Sequence, residues 1–160
     1  MHIDFNRLPD EARVWIYQAN RPFTDVELDE LKPMIDHFLK QWTAHGKELK
    51  AAYDLPYKRF IVLGLDESNA SATGCSIDSS IHFIQELEKK FGVDLMDKMN
   101  VTFKNGEYLA HKDLAAFRKM AKARSVSDKT IVFNNLVQNV GEYRENWEVP
   151  ASDSWHARFF

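Results

Sequence analysis

The clearest local signal in this chain is the segment Val101-Thr102-Phe103-Lys104-Asn105-Gly106-Glu107-Tyr108-Leu109. An Asn-Gly pair readily adopts the two positive φ angles of the type I′ turn that joins adjacent antiparallel strands. Aromatic and β-branched residues, which favour strands, flank the pair. The segment therefore predicts a β-hairpin and antiparallel pairing in the sheet around it.

Strands are also predicted at residues 12–19, 47–53, 59–65 and 130–133, where apolar residues cluster between turn signals. Within the third of these, residues 60–63 form a continuous apolar run instead of an alternating pattern. A continuous run is typical of a strand that is buried on both faces, so this strand is expected to be central.

Three longer helices and a shorter one are predicted from apolar residues at helical spacing. Thr24 and Glu27 have the spacing of a capping box and begin the first helix, which Gly46 ends after His45. Pro33 is expected to kink this helix or to start a second one. The next two helices are expected at residues 76–91 and 111–124, and a short helix late in residues 137–147.

These elements predict an α+β fold, a mostly antiparallel sheet with about three helices. Residues 1–160 show no internal repeat and no linker, so a single domain is expected. The last segment, residues 149–160, contains Trp155, Phe159 and Phe160. A free tail would hardly expose three large aromatic residues, so this segment is expected to dock on the body.

Composition limits the classes of function. The chain has 160 residues, 44% of them hydrophobic, a net charge of -3 and one cysteine. The net charge gives no global reason to expect nucleic acid or an anionic membrane as a partner. No apolar run is long enough for a signal peptide or a membrane span, and one cysteine permits no intramolecular disulfide. A cytoplasmic protein without membrane insertion is expected.

The main candidate site lies between residues 66 and 80, where a buried strand leads through small polar residues into a helix. Free amides, hydroxyls and the helix dipole at such a place suit a polar or anionic small molecule. The ligand contacts predicted here are Asp66, Gly74, Ser76, Asp78, Ser79 and Ser80. The structural alternative is an ordinary loop in which Thr73 or Ser76 caps the helix.

Cys75 stands in the same segment, and a helix start can activate a thiol as a nucleophile. A nucleophile needs a base, and the candidates are His45 and His156. His156 can act as the base only if residues 149–160 fold over the loop after residue 66. In the structural alternative, Cys75 packs as a small hydrophobic residue.

Other chemistries are not predicted. His82 and Glu86 lack a third metal ligand, so no metal site is expected, and no cofactor-binding motif is present. The helix at residues 111–124 carries five basic residues and one acidic residue, a pattern typical of a solvated face. No nucleic-acid partner is therefore expected.

A resemblance rests on motifs spread through nearly the whole chain. They are Trp42 with His45-Gly46, residues 60–66, Gly74-Cys75-Ser76-Ile77-Asp78, Val132-Phe133-Asn134-Asn135 and Ser154-Trp155-His156. The chain resembles an uncharacterised bacterial family of about this length, in which some members are labelled ABC transporter ATPases. The resemblance implies a bacterial origin and supplies no catalytic residues. The P-loop of an ATPase is missing, because the only Gly-Lys pair, Gly46-Lys47, is followed by Glu48.

Three hypotheses of different classes follow. The first is a domain that binds a polar or anionic small molecule at residues 66–80. The second is a thiol-dependent enzyme that uses Cys75 as its nucleophile. The third is a structural or interaction protein. Its aromatic tail docks on the body of the same chain or on a second copy of the chain, and the second arrangement would form a homodimer.

Overall fold

The computed structural model describes residues 1–160 and contains nine strands and four α-helices. The strands are β1 (Arg13–Gln18), β2 (Thr43–Ala44), β3 (Lys47–Glu48), β4 (Lys50–Asp54), β5 (Phe60–Asp66), β6 (Asn100–Asn105), β7 (Tyr108–Asp113), β8 (Ile131–Phe133) and β9 (Glu148–Pro150). The helices are α1 (Asp25–Gln41), α2 (Gly74–Phe91), α3 (Leu114–Lys122) and α4 (Val140–Asn146). All pairs of these strands are antiparallel. The predicted α+β class and antiparallel pairing are confirmed, with four helices in place of about three.

The chain forms two compact units. The first contains Met1–Met96 together with Gln138–Gly141, and the second contains Asp97–Val137 together with Glu142–Phe160. None of the helices has the length and apolar character needed to cross a membrane.

A three-stranded sheet in the order β1-β5-β4 forms the centre of the first unit. The central position predicted for residues 59–65 is confirmed by β5. Its alternate residues Ile61, Leu63 and Leu65 are fully buried in one core with apolar residues of α1 and α2. On the opposite face, a side chain on Gly64 would meet Leu8 and Phe5, so the amino-terminal segment covers that face.

Both outer edges of this sheet are covered by further backbone. Ile3 N donates to Ala51 O at 2.8 Å along β4, and Ala51 N donates to Met1 O at 2.9 Å. Along β1, Val14 N donates to Gln138 O at 3.0 Å. At these positions the edge strands have no free backbone groups for pairing with another chain.

Helix α1 begins as predicted and ends differently. Both bonds of the Thr24 and Glu27 capping box are present. The helix continues through Pro33 without a break, because the lost backbone bond is offset by a fully buried apolar face. The expected end at Gly46 is wrong, since α1 ends at Gln41.

His45 and Gly46 form the tight turn of the short β2–β3 hairpin. Their φ angles are +52° and +77°. A glycine with positive φ is typical of a helix end as well as of a type I′ turn, and this ambiguity explains the wrong prediction. His45 therefore does not lie at a helix carboxyl terminus.

Helix α2 begins at Gly74, two residues before the predicted start, and Gly92 ends it in a left-handed conformation with φ +62°. The apolar spacing of this helix predicts a buried stripe of Ile77, Ile81, Ile84, Leu87 and Phe91, and this prediction is partly wrong. Ser76 and Ser80 are buried, whereas Ile77 and Ile81 are only half-buried.

The second unit contains a four-stranded sheet in the order β7-β6-β8-β9. The predicted hairpin is confirmed by the pairing of β6 with β7, but its predicted type I′ turn is wrong. Asn105 pairs with Tyr108 as the last residue of β6, so the two turn residues are Gly106 and Glu107, and of these only Gly106 has a positive φ, +63°. Helix α3 begins later than predicted, because residues 111–113 continue β7 and Asp113 caps the helix through Ala116 N.

The carboxyl-terminal segment of the second unit folds as two short 3-10 helices, Ala151–Asp153 and Trp155–Phe159. Trp155 and Phe159 pack against the core that contains Phe117. The Phe159 and Phe117 ring centroids lie 5.3 Å apart.

Candidate functional site

The acidic residues at the start of the 66–80 segment bind the loop itself. Asp66 Oδ1 accepts from Ser68 N at 3.0 Å, and the hydrogen bonds from Ser68 lower the pKa of Asp66. Glu67 Oε2 accepts from Ala72 N, also at 3.0 Å. Both carboxylates therefore brace the loop.

The serine hydroxyls of this segment are bonded within the start of α2. Ser76 Oγ donates to Thr73 O at 2.9 Å and accepts from Thr73 N. Ser79 Oγ donates to the carbonyl oxygen of Cys75 at 3.0 Å, and Ser80 Oγ donates to that of Ile77 at 2.6 Å. Three predicted ligand contacts thus already have partners within their own helix.

Thr73 is the N-cap of α2, as one structural alternative predicted. Ser80 also faces Tyr17 of β1, and their hydrogen bond partly opposes the rise that burial causes in the pKa of Tyr17. Of the predicted ligand contacts, Gly74 and Asp78 are the exposed ones without a side-chain bond. Ligand binding at this segment stays a prediction.

Cys75 is exposed in the first turn of α2, and its sulfur has no hydrogen-bond or ionic partner. The structure links Cys75 to His45 only indirectly. Trp42, three residues before His45, donates from Nε1 to Ser76 O at 2.8 Å. The structure thus brings these two segments into contact and shows no bond between the imidazole and the thiol.

His156 belongs to the second unit, whereas Cys75 belongs to the first. The imidazole is 1% exposed, its Nδ1 lies 2.7 Å from Ser154 Oγ, and its ring stacks on Trp155. Burial, and then the neighbouring Arg158 charge, lower the pKa of His156 to about 4. These surroundings are those of a packed core histidine.

A larger candidate site, which the sequence did not predict, is a cleft of about 840 Å³ in the first unit. It lies among the amino-terminal segment, α1 and the end of β4. The lining residues, which we call the amino-terminal cleft, are His2, Ile3, Asp4, Phe5, Asn6, Arg7, Leu28, Lys32, Tyr53, Asp54, Leu55 and Lys58.

Three cationic side chains line this cleft. Arg7 and Lys32 are exposed and have no ion-pair partner. Lys58 Nζ lies 2.7 Å from Asp25 Oδ1, and this pairing lowers the pKa of Asp25. Both partners of that pair are well exposed, so an anion in the cleft could replace Asp25 at small cost.

The two acidic residues of the cleft have backbone partners. The Asp4 carboxylate accepts from Asn6 N at 3.0 Å and caps the short helix Phe5–Arg7. Asp54 Oδ1 accepts from Leu55 N at 3.0 Å. Both carboxylates thus bond to backbone amides of their own turns, and neither forms an ion pair with Arg7 or Lys32.

The backbone that carries Lys58 is strained. Tyr57 and Lys58 have φ angles of +57° and +55°, although neither is a glycine. A left-handed residue costs about 1–2 kcal/mol, and such conformations concentrate at functional sites. Lys58 O accepts from Phe23 N at 2.7 Å, which ties this turn to the start of α1.

Apolar and aromatic groups form the remaining wall of the cleft. The His2 and Tyr53 rings stack with centroids 5.5 Å apart. Behind them, His2 Nδ1 lies 3.4 Å from a buried oxygen of Asp36. Burial, and then Asp36, raise the pKa of Tyr53.

Sequence reasoning missed this cleft because its residues are scattered between positions 2 and 58 and match no motif. The only local signal near it was the turn at residues 54–56. Neither in this cleft nor elsewhere in the chain is a group of three or more His, Cys, Asp or Glu side chains placed to hold a metal ion.

Comparisons of the chain with protein-family models, with curated proteins and with solved structures each gave no match. The bacterial family resemblance is therefore still a prediction, and the case for function depends on the geometry of the chain itself.

Proposed function

We propose that this chain binds a small anionic molecule in the amino-terminal cleft. The observation that carries the proposal is the pair Arg7 and Lys32, two exposed cations that form no ion pair on the wall of a cleft of about 840 Å³. Cations that line a cleft attract and concentrate anions there.

The chemistry of the walls narrows the ligand class. Arg7, Lys32 and Lys58 provide donors for a phosphate or a carboxylate. Phe5, Leu28 and Leu55 provide apolar surface for the rest of the molecule. A volume of this size is in the range of clefts that hold metabolites. The ligand is therefore an anion with an apolar part.

This is the ligand class expected from residues 66–80, at a different place. The cleft is the better supported place because the hydroxyls of Ser76, Ser79 and Ser80 already bond within α2. Of the cleft cations, Lys58 forms an exposed pair with Asp25, whereas Arg7 and Lys32 form no ion pair.

A thermal-shift panel tests the proposal with phosphates, ATP with Mg²⁺, carboxylates and amino acids. A ligand present at 100 times its dissociation constant stabilises the folded chain by about 2.7 kcal/mol. For a domain of this size the melting temperature should rise by roughly 5–10 °C.

Three variants locate a ligand found in this way. The double variant Arg7→Gln/Lys32→Gln should abolish the shift. The control Lys40→Gln changes an exposed lysine of α1 outside the cleft and should retain it. Asp78→Asn should also retain the shift, and its loss there would instead place the ligand at residues 66–80. A panel without any shift would count against small-molecule binding and favour the interaction protein.

A further inference from the structure

A second charged surface lies in the other unit, on the exposed side of α3. Residues 114–127 contain four basic residues and no acidic residue. These four, Arg118, Lys119, Lys122 and Arg124, are all exposed and none has an ion-pair partner. The surface is therefore a run of uncompensated positive charge.

The carboxyl-terminal 3-10 helix extends this surface with aromatic rings. The Arg118 guanidinium lies 5.8 Å from the Phe159 ring centroid, and that of Arg158 lies 5.5 Å from the same ring. Arg158 also lies 4.9 Å from the Trp155 ring. Phe159 packs on buried Phe117, so the platform that carries both arginines is anchored in the core.

Neither of the two guanidinium groups over the Phe159 ring has an acidic partner. Stacking on a ring restricts a guanidinium while its N–H groups stay available to an incoming phosphate. The arrangement is thus prepared for an anion with more than one charge.

We propose that this surface, which we call the α3 basic face (Arg118, Lys119, Lys122, Arg158 and Phe160), binds single-stranded nucleic acid. Phosphates contact Arg118, Lys119, Lys122 and Arg158. A base stacks on Phe160, which is 46% exposed, whereas His156 and Arg158 already lie over the Trp155 ring. Positive grooves with aromatic platforms are the usual means of binding single strands without sequence preference.

The composition of the face disfavours other anionic partners. Leu114, Met120 and Ala121 of α3 pack against the core, so the helix exposes no large apolar side chain. Helices that lie on a membrane insert an apolar face, and protein interfaces use a buried apolar anchor. The exposed side of α3 itself has neither, and Phe160 is the single exposed apolar side chain of the face.

The overall charge of -3 gave no sign of this surface, and the basic helix was expected to be merely solvated. Sequence reasoning could not detect the platform, because Arg118 meets Phe159 only after the chain has folded. The expectation of a merely solvated helix changes because Arg118 and Arg158 both lie over the Phe159 ring.

The test is fluorescence anisotropy with end-labelled oligo(U) and oligo(dT) strands in 50–200 mM NaCl. We expect saturable binding whose affinity falls with salt. For single strands the logarithmic slope is about -0.7 for each phosphate contact, so four contacts predict a slope of roughly -3.

Arg118→Gln/Arg158→Gln should weaken binding about tenfold or more and reduce the magnitude of the slope by about 1.4. The control Lys40→Gln/Lys47→Gln removes two exposed charges from the first unit and should leave affinity unchanged. Phe160→Leu should weaken binding without changing the slope, because it removes stacking and no charge. Circular dichroism checks that each variant is folded.

If the double glutamine variant does not fold, Arg118→Lys/Arg158→Lys replaces it and should keep the slope while losing affinity several-fold. Absence of saturable binding at 50 mM salt would overturn the proposal. So would equal binding to polyglutamate or to phosphatidylserine vesicles, or an unchanged affinity of the arginine variant.

Discussion

The indole Nε1 of Trp42 donates a hydrogen bond to the carbonyl oxygen of Ser76 at 2.8 Å. Trp42 directly follows α1 and Ser76 lies in the first turn of α2, so this buried bond joins the end of one helix to the start of the next. The Trp42 ring also packs against Trp15 and Phe38.

Trp42→Phe should lower the free energy of unfolding by roughly 2 kcal/mol. The variant loses both the hydrogen bond and part of the buried ring area. Urea unfolding followed by circular dichroism measures the change. The control Trp155→Phe changes a half-buried indole with no hydrogen bond and should cost less. Equal losses would show that the bond to Ser76 contributes little.

Gly64→Ala should destabilise the chain by about 1–3 kcal/mol. A Cβ atom there would overlap a methyl group of Leu8 and lie 3.2 Å from Phe5. Leu8 is buried and overpacking forces such neighbours to move. Because Phe5 lines the amino-terminal cleft, anion affinity should fall as well.

Gly74→Ala is the matched control for this change. No atom lies within 4 Å of the added Cβ, and the position is the first residue of α2. Alanine favours a helix by up to about 1 kcal/mol over glycine, so stability should stay constant or rise. A loss at Gly74 as large as that at Gly64 would contradict this steric argument.

The parts of the fold that were predicted correctly are those that local sequence determines. Thr24 with Glu27, Gly106 and Gly92 each specify a cap or a turn through the conformations of a few adjacent residues, although the turn at Gly106 begins one residue later than predicted. The central position of β5 followed from its continuous apolar run.

The predictions were wrong or incomplete where tertiary contacts determine which residues are buried and which lie close together. Ser76 and Ser80 are buried in place of Ile77 and Ile81, because their hydroxyls bond to α2 carbonyls and lose little when covered. The amino-terminal cleft could not be predicted, because Arg7, Lys32 and Lys58 come from three separate elements. Proximity of this kind arises only from packing.

N-ethylmaleimide should modify Cys75 in the folded chain, because the side chain is exposed. The rate should be close to that of glutathione, since no histidine contacts the sulfur. Much faster modification would support the thiol-dependent enzyme. A ligand in the amino-terminal cleft should still bind the modified chain with unchanged affinity, whereas a ligand at residues 66–80 should be excluded. Calorimetric titration before and after modification distinguishes these two places.

Stability should fall between about pH 6.5 and pH 4 because of His156. Burial lowers the pKa of this histidine from 6.5 to about 4 in the folded chain. The unfolded chain therefore binds the proton first, and protonation favours unfolding across this interval. Above pH 7 the contribution is constant, and below pH 4 it levels off. The full difference is on the order of 3 kcal/mol.

His156→Asn should remove this part of the pH dependence. Asparagine keeps a polar group near Ser154 Oγ and does not titrate, so the variant should be less stable at pH 7 but lose less on acidification. Urea unfolding at pH 7.0 and 4.5 measures both quantities. In the native chain, NMR should show the His156 imidazole titrating near pH 4. Titration near pH 6.5, or identical acid sensitivity in the variant, would mean that the imidazole is not desolvated and that the Ser154–Trp155 packing around it is looser than the structure indicates.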